Sequence, residues 1–90
     1  MSTQTAYRHI VKRIDTGEPV VAGTRISVRD IVEQWKFGTS AEEIPSIYPH
    51  ITLSQVFEAL AYYLDNKNEI EGYIEKNRIP ENLSGKSLSR

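Results

Sequence analysis

Apolar residues recur along the middle of the chain with helical spacing. Val28, Ile31, Val32 and Trp35 stand at i, i+3, i+4 and i+7, with Arg29, Asp30, Glu33, Gln34 and Lys36 between them. One apolar face and one charged face predict a first helix over 28–37. Ile44, Ile47 and Tyr48 predict a second over 41–48, shortened or split by Pro45, which lacks a helical donor and biases Ile44 away from α geometry. Leu53, Val56, Phe57, Leu60, Ala61 and Leu64 form a continuous apolar stripe and predict a third helix over 53–65. Ile70, Tyr73 and Ile74 predict a fourth over 67–78, weakened by Gly72. Asn66-Lys67-Asn68 leaves open whether the third helix breaks or runs on. Ahead of the helices, residues 9–11 and Val20-Val21-Ala22 read as two short strands joined by the turn Asp15-Thr16-Gly17-Glu18-Pro19.

Helix-start chemistry recurs through the same region. Ser27 precedes Asp30, Ser40 precedes Glu43 and Thr52 precedes Gln55, each by three positions. This is the spacing of a capping box, in which hydroxyl and acid or amide satisfy each other's backbone N–H groups. Gly38 suits the left-handed residue that ends a helix. Three short helices joined by tight turns make the skeleton of a helix-turn-helix module. The expected fold is therefore mainly α: a three-helix helix-turn-helix with a short N-terminal β-arm and a fourth, C-terminal helix. Residues 1–6 are expected as a flexible N-terminus, 7–66 as arm plus helix-turn-helix, 67–79 as the last helix, and 80–90 as a flexible tail.

Composition narrows the function classes. Ninety residues suit one domain with a small stability margin. Cysteine is absent, so there is no disulfide framework or thiolate metal site. His9 and His50 stand apart without supporting ligands, and no metal or other cofactor is expected. There is no phosphate-cradling glycine loop, no metal-binding His pair on a helix and no nucleophile beside a base, so an enzyme is not expected. The polar start Met1-Ser2-Thr3-Gln4-Thr5 carries no signal-peptide pattern and no membrane span follows, so a cytoplasmic location is expected.

Charge is unevenly spread. Residues 1–39 hold six Lys/Arg against four Asp/Glu, residues 40–65 none against four, and residues 66–90 five against four, giving +2, −4 and +1. The helices that a helix-turn-helix protein lays against a duplex thus contain no Lys or Arg, although phosphate contacts supply most non-specific affinity.

The run Gly17-Glu18-Pro19-Val20-Val21-Ala22-Gly23-Thr24-Arg25-Ile26-Ser27-Val28 is distinctive. Together with Phe37-Gly38-Thr39-Ser40-Ala41-Glu42-Glu43-Ile44 and Tyr48-Pro49-His50-Ile51-Thr52-Leu53, it resembles a family of small prokaryotic proteins, the domain of unknown function numbered four-three-three. The resemblance covers about residues 8–75. It implies a homeodomain-like or winged three-helix domain with a β-arm, a homodimer, and an antitoxin of the VapB kind. Such an antitoxin neutralises a PIN-like ribonuclease toxin and represses its own promoter. The chain departs from the family pattern at Glu18, where Lys is frequent, and at Ser27, where Pro is common.

Candidate residues follow from charge, pattern and resemblance together. DNA contact is expected from Arg8, Lys12, Arg13, Arg25 and Arg29, with His50 on phosphate and Ser54 and Gln55 at a base edge, Gln being suited to adenine. Arg25 has a plainer alternative, a bridge to Asp30 or a backbone carbonyl. Tyr63, Ile70, Tyr73, Ile74, Leu83, Lys86, Leu88 and Arg90 are the candidates for toxin binding, as an amphipathic segment with a cationic tail. Ile10, Val20, Val21 and Trp35 are the dimer candidates. Trp35 and Phe37 are expected in the core or at an interface, and of the adjacent Tyr62 and Tyr63 only one is expected to face inward. A stand-alone dimeric DNA-binding regulator and an adaptor that binds only protein remain the alternatives to the antitoxin.

Overall fold

The structure is a computed structural model and describes residues 2–78. Three strands come first: β1 (Ser2–Gln4), β2 (Ile10–Arg13) and β3 (Pro19–Val21). They form one antiparallel sheet in that order, with Thr3 opposite Lys12 and Val11 opposite Val20. The stretch expected as a flexible N-terminus thus supplies an edge strand. Its residues are polar and carry no hydrophobic signal; backbone groups pair with β2 and hold it.

Four helices follow: α1 (Val28–Lys36), α2 (Ile44–Ile47), α3 (Leu53–Asp65) and α4 (Lys67–Lys76). The architecture is four helices on a small three-stranded sheet, which corrects the expected mainly α layout with a two-stranded arm. The capping boxes at Ser27–Asp30 and Thr52–Gln55 are both complete. The one at Ser40 is half made: Glu43 Oε1 accepts from the Ser40 N–H at 3.2 Å, while the Glu43 N–H goes to the Ser40 carbonyl at 3.0 Å. That backbone turn takes up 41–43, and α2 shrinks to one turn with Pro45 near its start, where a missing donor does no harm. Gly38, at φ +112°, ends α1 as expected, and Gly23 takes φ +80° between β3 and α1. Asn66 leaves helical geometry at φ −136°, ψ 46°, and its side-chain amide donates to the Tyr62 carbonyl at 3.0 Å, so α3 breaks before α4.

The core lies between the sheet and the helices. Ile10 and Val21, paired across β2 and β3, turn one sheet face onto Val28, Ile31 and Val32 of α1 and onto Val56 of α3. Ile44 and Ile51 close one end, and Ile70 and Ile74 dock α4. Burying each such side chain contributes about 1.5–3 kcal/mol. Both Tyr62 and Tyr63 are buried, against expectation. They point to different neighbours: Tyr62 stacks edge-on against Tyr7 and donates to Glu69 at 2.7 Å, and Tyr63 lies edge-on to Trp35 and donates to Glu71 at 2.5 Å. Phe37, by contrast, is 88% exposed rather than in the core. No helix among the described residues is long and apolar enough to cross a membrane.

Candidate interaction surface

α3 is apolar on more of its circumference than the core can cover. At 100° per residue its apolar positions from Leu53 to Leu64 sweep roughly 260°. Val56, Ala59, Leu60, Tyr62 and Tyr63 are buried. Leu53, Phe57 and Leu64 are 39%, 49% and 56% exposed, and Ala61 is exposed with them. These four stand at i, i+4, i+8 and i+11, a stripe along the outside of the helix. The single stripe seen in the sequence is therefore two: Val56 and Leu60 go in, and Leu53, Phe57, Ala61 and Leu64 stay out.

Three of the polar side chains beside that stripe, Glu58, Asp65 and Gln55, are occupied by the protein itself. Burial pushes the Glu58 carboxyl up, but the His9 backbone N–H at 3.0 Å and ring Nδ1 at 2.6 Å outweigh it and hold the carboxyl below its usual range. Asp65 accepts from the Tyr7 hydroxyl. Gln55 Oε1 accepts from the Thr52 N–H at 2.9 Å, so its side chain serves the cap, while Ser54 is exposed. No Lys or Arg lies on α3.

Most of the expected DNA-contacting cations are engaged internally. Arg29 Nε donates to Glu18 Oε2 at 2.9 Å, with Glu33 at 3.5 Å and Asp30 at 3.7 Å. Its burial disfavours the charge, yet these carboxylates outweigh burial and hold the guanidinium above its ordinary value. Lys12 pairs with Glu69 at 3.1 Å. Arg13 grips Asp15 through two hydrogen bonds, at 2.8 and 2.9 Å, and holds that carboxyl down to about 2. Arg8 and Arg25 are exposed and make no ion pair among the described residues. Arg25 makes no bridge to Asp30, whose carboxylate accepts from the Ser27 N–H at 3.1 Å and lies 3.7 Å from Arg29. Arg13, Arg25 and His50 do come together, around one groove.

The expected partner and dimer faces are largely internal. Tyr63, Ile70 and Ile74 belong to the core, so α4 docks on its own domain instead of offering its apolar face. Tyr73 is half-buried, with its hydroxyl on the Thr16 carbonyl at 3.3 Å. Leu83, Lys86, Leu88 and Arg90 lie outside the described residues. Ile10 and Val21 are buried in the core and Val20 is buried on the sheet's other face, which leaves Trp35, 40% exposed, as the dimer candidate still open to solvent. The residues missed by the sequence pattern are Leu53, Phe57, Ala61 and Leu64 as an outward set. The signal was present in the width of the apolar arc, since Ala59, Tyr62 and Tyr63 compete with them for the inside.

Residues 9–63 match the family described as "Protein of unknown function (DUF433)", and the chain belongs to it. No curated protein and no solved structure is similar enough to match the chain.

Proposed function

From that membership and the outward face of α3, we propose that the protein is the antitoxin of a type II toxin–antitoxin pair. It acts in the cytoplasm as a binding protein, neutralising a PIN-like ribonuclease toxin by direct contact. The Leu53–Phe57–Ala61–Leu64 stripe carries this proposal. It offers a row of apolar side chains to a partner and no cation to a phosphate backbone, which suits protein rather than duplex recognition. Phe57, at the middle of the row, is the anchor. In a helix-turn-helix arrangement α2, the turn at 48–52 and α3 form the motif, and this same face would meet the major groove. Its apolar character makes repression of the operon a secondary activity that rests on Arg8, Arg25 and His50.

Co-expression of the tagged chain with its neighbouring open reading frame tests the proposal. A stable complex that blocks the neighbour's ribonuclease activity is the expected result. A chain that purifies alone beside a harmless neighbour overturns it and returns the choice to a DNA-binding regulator or a protein adaptor.

A further inference from the structure

The face of the sheet turned away from the core carries a groove of about 980 Å³. Alternation along the strands puts it there. Ile10 and Val21 pair and face inward, so their neighbours Val11 and Val20, which also pair, face the other way. Val11 and Val20 line the groove with Ile14, Ile26 and Ile47. Ile14 and Ile47 are 62% and 43% exposed, so the lining offers apolar surface to a visitor. No residue of α3 takes part.

The polar lining has a net sign. Its one carboxylate, Asp15, is held by both nitrogens of the Arg13 fork. Arg25 adds a second guanidinium, exposed and without an ion-pair partner among the described residues. His50, also exposed, adds an imidazole donor. Two guanidinium groups against one carboxylate leave the groove positive over an aliphatic lining.

We propose that this groove binds an extended segment of a partner protein that alternates aliphatic side chains with carboxylates. Aliphatic groups would lie against the exposed Ile14 and Ile47, over the floor that Val11 and Val20 form, and a carboxylate would take the planar Arg25 fork. Charge selects this occupant over the chain's own C-terminal stretch, where Lys86 and Arg90 outnumber Glu81 and repeat the groove's sign. The groove extends beyond the antitoxin proposal, which stands on α3; either can fail alone.

The test is a nitrogen-15 NMR titration of the full chain with two acetylated pentapeptides, Glu-Leu-Glu-Val-Glu and Lys-Leu-Lys-Val-Lys. The acidic peptide should give saturable shifts at Val11, Val20, Arg25, Ile26, Ile47 and His50. Its Kd should rise at least tenfold in Arg25→Glu, an exposed change that keeps the spectrum of the fold, and also in Ile47→Ser. The basic peptide should leave these amides unmoved. The proposal is overturned by absent or unsaturable shifts, by equal binding of the two peptides, or by shifts centred on Leu53, Phe57 and Leu64. It is equally overturned if those groove amides shift with protein concentration alone, which would make a second copy the occupant.

Discussion

α1 and α3 both start from a reciprocal cap, Ser27 with Asp30 and Thr52 with Gln55, and both send aliphatic side chains into the shared core. Their outer faces are built differently. On α1 the outward charges close onto the protein itself: Arg29 reaches Glu18 of the arm, and Lys36 reaches Glu71 of α4 at 2.8 Å. On α3 the acids are likewise engaged, but the centre of the outer face is Leu53, Phe57, Ala61 and Leu64. α1 leaves Trp35 part-exposed and Phe37 exposed at its end, but no row of apolar residues along its outside. A helix that leaves four apolar residues in a row has surface that water covers at a cost and a partner covers at a gain. The contrast between the two helices is the ground for proposing α3 as the interaction surface.

Substitutions can break that comparison at several strengths. The inner faces should behave alike and give the largest effect. Ile31→Ala empties a fully buried site on α1 and should cost about 2–5 kcal/mol in urea unfolding. The outer faces should then diverge. Phe57→Glu should cost only about 1 kcal/mol in unfolding stability, because the site is half exposed. The same change should weaken the proposed toxin complex by about 2 kcal/mol or more, read by calorimetry, as expected of a central anchor. Glu18→Gln removes the main partner of the half-buried Arg29 and should cost about 1.5 kcal/mol in thermal or urea unfolding, with no effect on the proposed toxin complex. Ser27→Ala and Thr52→Ala should each cost about 1 kcal/mol, equally for the two helices, since both boxes are complete.

The smallest effect sharpens the same contrast through pH. The Glu58 carboxyl lies below its ordinary value of 4.5 in the folded protein. A lowered carboxyl stabilises the fold above its unfolded value, and that contribution is lost as pH falls through the folded one. Stability should therefore decline as the pH drops below about 4.5, and Glu58→Gln should flatten part of that decline. Acid titration of unfolding midpoints for the two chains checks the sign.

Much of the fold was legible because local chemistry and packing agree. The helix starts at Ser27 and Thr52, the stop at Gly38 and the core positions Val28, Ile31 and Val32 are all set by residues close in sequence. β1 was not legible, because Ser2-Thr3-Gln4 is held by backbone pairing to β2, which no hydrophobic pattern announces. α2 was overextended because Ser40 and Glu43 form only half a box, and a backbone turn satisfies the other half. The site was less legible than the fold. A tally of cations cannot reveal that Arg29, Lys12 and Arg13 meet Glu18, Glu69 and Asp15, since two of those three pairs join separate elements. The apolar face of α4 looked available for the same reason: its cover comes from residues distant in sequence, with α1 and α3 packed against it.

The most direct test of the role of α3 is paired co-purification. The wild-type chain and Phe57→Glu are each co-expressed with the neighbouring open reading frame, and the recovered species are weighed by native mass spectrometry. The wild-type chain should come through with the neighbour in a defined complex, and the folded variant should come through without it. Recovery of the same complex with Phe57→Glu, or no complex with the wild-type chain, would contradict the account.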